Sequence, residues 1–376
     1  MKYDLSSLIE FRKLLHRNAE LSGGEAQTAE LLLNLLAERK PQAIIKGLAG
    51  SGVACIFKGS APGPTVVFRS ELDALPIQER RDLPYRSRNM RVSHKCGHDG
   101  HMAILAGLAD WLAQHAMARG RVVLLFQPAE ETGAGAGEIV EDPRFQALQP
   151  DYIFALHNLP GFPLGHVLLR QGVFACASTG ALIKLMGASA HAAHPEQAVS
   201  PTRAFTQILL ELQQLSAPAD GPDLVTIVYA RLGEIAFGTA PGDAEIRVTL
   251  RSDDDRRLQA LSGEVVEMAA RRAEEDGLKF AVTWHESFKT TVNHGEAVRI
   301  VERAAVACGL GVQRTMAPFR WSEDFGRYLD RYTGALFCLG AGEEHAPLHH
   351  PDYDFPDALL PIGMCVLQQI IRELLS

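Results

Sequence analysis

Four short runs in the first half of the chain are apolar at nearly every position: Val53–Phe57, Thr65–Phe68, Val122–Phe126 and Tyr152–Leu156. A strand with one wetted face alternates polar and apolar residues. A strand that stays apolar throughout is covered on both faces. Helical patterns separate these runs. Residues 6–38 place Leu8, Phe11, Leu14 and Leu15 at helical spacing, with a break at Gly23-Gly24, and residues 102–118 form a second helical stretch. The alternation predicts an α/β fold with a mostly parallel central sheet and helices on both faces.

From about residue 178 the order changes. Thr179–Met186 reads as a strand and 201–215 as a helix, with Pro201 suited to its first turn. Leu224–Leu232 and Ala244–Leu250 read as strands, 254–276 as a helix and Lys279–His285 as a strand. The order β-α-β-β-α-β is ferredoxin-like. The α/β pattern then resumes with a helix at 295–309, a strand at Ala335–Leu339 and a closing helix at 358–375. The expected organisation is a catalytic domain in two parts, 1–177 and 290–376, around an inserted lid or dimerisation domain, 178–289. A chain of 376 residues is long enough for two cores.

Composition excludes several classes. The net charge of −8 comes without a basic stripe, which argues against nucleic acid or an anionic membrane surface as a partner. No run of 18 apolar residues occurs, so no membrane-spanning helix is expected. The opening MKYDLSSLIEFRKLLHR lacks the apolar core and small-residue cleavage site of a secretory signal. The six cysteines are scattered without paired spacing, which predicts a reduced, cytoplasmic protein rather than a disulfide scaffold.

Candidate chemistry stands just past the C-terminal ends of the predicted strands, the edge where open α/β sheets bind ligands. Glu71 and Asp73 follow one strand, Glu130 and Glu131 another, His157 ends a third, and His349 follows Ala335–Leu339. The segment Cys96-Gly97-His98-Asp99-Gly100-His101 is the richest. Thiolate and imidazole are metal ligands, and glycine lets the backbone fold both round one ion. The competing reading is a polar loop in which Asp99 caps a helix and the histidines are solvated. Adjacent carboxylates at Glu130-Glu131 repel unless cations neutralise them or one is protonated. A solvated loop pair is the alternative, set against the glycines that follow at 133, 135 and 137. His157 alone reads more often as a satisfied core histidine, His349 as part of a mobile polar loop, and His191 and His194 equally as surface histidines.

These residues resemble the aminoacylase and carboxypeptidase-G superfamily of dinuclear metallohydrolases. Within it they look like the amidohydrolase branch that contains hippurate hydrolase and indole-acetyl-amino-acid hydrolase. The markers are RKLLHRNAELSGGEAQTA, FRSELDALPI, HKCGHDGHMA, LLFQPAEETGAGA, IFALHNLPG, GASAHAAHP, WSEDF and LHHPDYDFPD, spread over nearly the whole chain. The resemblance implies a zinc-exopeptidase-like catalytic domain with a ferredoxin-like insert that closes by hinges near residues 177 and 289. It implies that Cys96, His98, Glu131, His157 and His349 hold two divalent ions, zinc foremost, with manganese, cobalt or nickel as alternatives. Glu130 would be the general base. Asp73 would orient the cluster, His191 would polarise the scissile carbonyl, and Arg251 would meet the substrate carboxylate. The implied substrate is a small N-acyl amino acid, and the implied assembly is a homodimer or higher oligomer.

The chain departs from the pattern at Glu71, where Asp is commoner, at Ala19, where Pro is usual, at Gly238, where many relatives carry Asn, and at Trp321, where Gly is usual. Gly238 bears on substrate recognition rather than the metal chemistry, and Trp321 is expected to narrow the pocket. Two other functions compete: a di- or aminopeptidase using the same ions, and a non-catalytic metal-binding protein.

Overall fold

The computed structural model describes residues 4–215 and 221–376. The chain divides into two compact units. The first holds the residues up to Phe174, Thr291–Pro318 and Asp324–Ser376; the second holds Ala175–Thr290 together with Phe319–Glu323.

The first unit begins with two helices, α1 (Leu5–Arg17) and α2 (Ala26–Glu38). Asp4 caps α1 by accepting the Ser6 N–H at 3.1 Å, and His16 and Arg17 place positive charge in its last turn. Then come β1 (Ala43–Leu48), β2 (Gly52–Lys58), β3 (Ala61–Glu71), α3 (His98–Leu112), β4 (Arg119–Gln127), β5 (Tyr152–Leu159) and β6 (Val167–Leu169). They build an eight-stranded sheet in the order β1-β2-β4-β3-β5, then Thr333–Gly340, β6 and Val312–Arg314. The block from β4 to Thr333–Gly340 is parallel, in the register Val67 opposite Val123 and Ile153, and Phe154 opposite Ala335. Its inner strands are buried on both faces, as their unbroken apolar runs require.

β2 is equally buried but runs antiparallel to β4, and so does β1 to β2. An apolar run reports coverage of both faces and carries no information on direction. The helix expected at 102–118 begins four residues earlier, at His98, and ends at Leu112. That shift brings His98 and His101 into its first turn.

The second unit is a four-stranded antiparallel sheet in the order Leu224–Leu232, Asp243–Ser252, Ala177–Met186, Lys279–Phe288. With helices Thr202–Leu215 and Asp255–Glu275 it has the ferredoxin-like order. Alternation along its strands sends Ile183, Leu185, Ile246, Val248 and Leu250 to one face, where Ile208, Leu212, Val265 and Ala269 of the helices cover them.

The cysteine reading is corrected at two positions. Cys308 and Cys365 form a disulfide across 57 residues of sequence, while Cys55, Cys96, Cys176 and Cys338 are free and buried. The pair lies just past helix Gly295–Ala307 and within helix Leu359–Leu375, elements that pack together. Spacing along the chain says nothing of that proximity. Among the described residues, no helix is long and apolar enough to cross a membrane.

Candidate metal centre

The parallel strands end level with one another, which sets their last residues and the loops beyond them side by side. β3 delivers Glu71 opposite Gln127 of β4, and β5 delivers His157 opposite Cys338. α3 starts just after Gly97, whose φ of 93° lies in the left-handed region. A Cβ there would stand 2.0 Å from Asn158 Oδ1, so glycine is required both for the turn and for the close approach. That turn brings Cys96 and the first residue of the helix, His98, to the same place.

Ligand atoms of Cys96, His98 and His157 all lie within 4.8 Å of one another, as do those of Cys96, Glu131 and His349 and those of His98, Glu130 and Glu131. The five expected donors and Glu130 are therefore joined into one cluster. Each donor has a defined aim. His98 Nδ1 donates to the Asp73 carbonyl at 2.8 Å, which leaves Nε2 turned inward, 3.8 Å from Glu131 Oε1. Nε2 is buried and has no hydrogen-bond partner. His157 Nδ1 donates to the Asn158 carbonyl at 2.7 Å, and its Nε2 lies 3.4 Å from Cys96 Sγ. His349 Nε2 lies 3.8 Å from Glu131 Oε2. Asp73 is fully buried; its Oδ2 accepts from Ser22 Oγ at 2.7 Å and from the Glu131 N–H at 2.9 Å.

The electrostatics favour a cation. Burial opposes charge on the His98 ring, yet Glu71, Asp73 and Glu131 hold its pKa up at about 10. Burial likewise opposes ionisation of Asp73, and His98 and Ser22 overcome it to keep the carboxyl low. A soft thiolate, imidazoles and a carboxylate, with one buried imidazole nitrogen lacking a partner, fit a late first-row divalent ion better than calcium or magnesium. Orienting hydrogen bonds behind His98 and His157 are the usual support of ligating histidines.

His191 and Arg251 lie in the second unit. His191 is exposed on the short strand Ala190–His191, paired with Thr239–Ala240, and its Nδ1 accepts the Ala193 N–H at 3.0 Å. Arg251 is partly buried and donates to the Arg320 carbonyl at 3.1 Å and to Ser322 Oγ at 3.0 Å. Burial lowers its pKa, and no carboxylate among the described residues offsets that.

Sequence reasoning missed what stands behind the donors. Arg69, fully buried, pairs with Glu71 and, at 2.6 Å, with Asp324 of the WSEDF segment. His101 is not solvated: Nδ1 lies 2.7 Å from Glu71 Oε2 and Nε2 lies 2.8 Å from Asn158 Oδ1. Arg12 and His16 of α1 are also fully buried, meeting Asp99 at 2.9 and 2.8 Å. A signal for these two did exist. They share the face of α1 that carries Leu8 and Leu15, and two cations on an apolar stripe call for buried partners.

An α/β sheet whose C-terminal edge gathers a thiolate, imidazoles and carboxylates, in a chain that also carries a ferredoxin-like unit, defines the class: a two-unit α/β protein with a donor set suited to divalent metal. The chain belongs to the peptidase family M20/M25/M40, whose model matches residues 67–373. It is 30% identical over 372 residues to an N-acetyl-L-cysteine deacetylase of Bacillus subtilis (strain 168), covering 98% of this chain and 88% of the relative. It is 29% identical over 359 residues to the hippurate hydrolase of Campylobacter jejuni, covering 93% of each. Among solved structures, a dinuclear metal-binding peptidase of the same family from Bacillus subtilis superposes with a TM-score of 0.81 at 26% identity, over 98% of both chains.

Proposed function

We propose that this protein is a metal-dependent amidohydrolase that cleaves the amide bond of an N-acyl amino acid, releasing a carboxylic acid and a free amino acid. The observation that carries the reading is the convergence of Cys96, His98, Glu131, His157 and His349 beside Glu130, from four separate stretches of chain. The five donors would hold two divalent ions, with zinc the first choice and manganese, cobalt or nickel the alternatives. Relatives named as deacetylases and as a hippurate hydrolase support the substrate class.

When bound, the ions supply Lewis-acid chemistry: they acidify water and polarise a carbonyl. Glu130 takes the proton from the attacking water and passes it to the leaving nitrogen. Asp73 fixes His98 through its carbonyl and Glu131 through the backbone N–H, so two donors are held by one residue. Arg251 holds the substrate carboxylate; a half-buried guanidinium facing no acid in its own unit is suited to an anionic partner. His191 polarises the scissile carbonyl.

A homodimer belongs to the same reading. Val228, Tyr229 and Trp284 are exposed on the outer strands of the second unit's sheet, where a partner would cover them. A cytoplasmic setting suits Cys96, which must stay reduced to bind metal, while the Cys308–Cys365 pair argues in the other direction. The experiment is elemental analysis of the purified protein, then assay of acyl-amino acids against dipeptides with each metal added. Turnover of acyl-amino acids that chelation abolishes is expected; exclusive turnover of dipeptides would replace the reading with a peptidase.

A further inference from the structure

His349 is the least secured of the five donors. It lies outside helix and strand, its side chain is 53% exposed, and its φ of 63° is in the left-handed region. Cys96, His98 and His157, by contrast, are buried beside or within α3 and β5. A ligand on such a loop binds well only if something else fixes the loop.

Lys95, immediately before Cys96, does so twice. Its carbonyl accepts the His349 N–H at 2.8 Å. Its ammonium, fully buried, donates to the Tyr353 carbonyl at 2.7 Å and to Glu79 Oε1 at 2.7 Å. The five residues from His349 to Tyr353 are thus held at both ends by one residue adjoining a donor. Arg12 continues the strap, with Asp354 at 3.2 Å, Asp357 at 2.6 Å and Asp99, next to His98, at 2.9 Å. Tyr85 donates to Asp354 at 2.5 Å and stacks beneath the Arg12 guanidinium at 4.9 Å.

We propose that Lys95 and Arg12 are positioning residues that clamp the His349 loop against the Cys96–His98 segment, and thereby set the affinity of one of the two ions, the one drawn to Cys96, Glu131 and His349, and not of the other. The proposal rests on the metal reading above. The ion drawn to Cys96, His98 and His157 keeps its donors when the clamp is cut, because none of those side chains hangs from the loop.

The test is equilibrium dialysis of the whole protein against zinc, with metal counted per chain, for the wild type, Lys95→Met, Arg12→Lys and, as the reference for loss of one donor, His349→Ala. Wild type is expected to bind two ions. Lys95→Met and Arg12→Lys are expected to follow His349→Ala, keeping one ion at wild-type affinity and weakening the other at least ~10-fold. A folded variant that weakens both ions equally, or neither, overturns the proposal. Should Lys95→Met fail to fold by circular dichroism, Arg12→Lys decides alone; collapse of both variants would mark the residues as structural and overturn it as well. A wild type that binds fewer than two ions overturns the metal reading itself, a result read before any variant is compared.

Discussion

Asp73 Oδ2 accepts the backbone N–H of Glu131 at 2.9 Å, so the residue after one strand fixes the donor after another. The same Asp73 receives His98 Nδ1 on its carbonyl. Burial opposes ionisation of the Asp73 carboxyl, and His98, Ser22 Oγ and the Glu131 N–H overcome it to keep the carboxylate charged and aimed. Replacement by Asn keeps the size and loses the charge. Asp73→Asn is expected to lower metal affinity or turnover by ~10–100-fold, the usual effect of removing an orienting partner. Metal titration and steady-state kinetics on the folded variant check this, and wild-type values for both would show that the Asp73 charge does not matter to the centre.

Glu130 is more buried than every donor but His98 and lies within the His98–Glu131 group, yet it is assigned a proton rather than an ion. The two roles separate in Glu130→Gln, which still offers an oxygen but can no longer accept a proton. The variant is expected to hold as much metal as wild type while turnover falls ~10²–10⁴-fold. Loss of metal in step with activity would make Glu130 a ligand.

The fold was legible because its inner strands are buried on both faces and its insert alternates with period two; both patterns survive in composition alone. Glu131 and His349 were legible because each follows a strand, His157 because it stands near the end of one, and Cys96 and His98 because thiol, imidazole and glycine fall together in one short run. The supporting charges were not. Arg69 lies within β3 and looks like an interruption of an apolar run, and its partner Asp324 is 255 residues away. Lys95 and Glu79 lie in irregular backbone, where no periodicity marks a buried side. The direction of β2 and the pairing of Cys308 with Cys365 depend on which elements become neighbours, and no local pattern encodes that.

His16 links stability to pH. Burial opposes its charge, but hydrogen bonds to Asp99 at 2.8 Å and Glu79 at 2.9 Å hold its pKa at about 9, against 6.5 when unperturbed. A folded-state pKa above the unfolded one stabilises fully below about 6.5, and the gain is lost as pH rises through about 9. The difference corresponds to at most roughly 3 kcal/mol, an upper bound because His16 shares its carboxylates with Arg12 and Lys95. Urea midpoints of wild type are expected to fall as pH rises from 6.5 through about 9. His16→Asn should start lower and show a flatter alkaline limb; equal slopes would remove His16 from the linkage.

The Cys308–Cys365 bond closes a loop spanning 57 residues that contains His349 and the strand Thr333–Gly340. Cross-linking a loop of that length restricts the unfolded chain and typically stabilises by about 2–4 kcal/mol. Both cysteines are only partly buried, so reductants and alkylating reagents can reach them. Non-reducing peptide mapping is expected to recover the Cys308–Cys365 pair from oxidised protein. Cys365→Ser should lower the urea midpoint of oxidised protein and leave that of fully reduced protein nearly unchanged, since the reduced wild type has already lost the constraint. A variant that is destabilised equally in both conditions would locate the effect in side-chain packing between helices Gly295–Ala307 and Leu359–Leu375, and not in the bond.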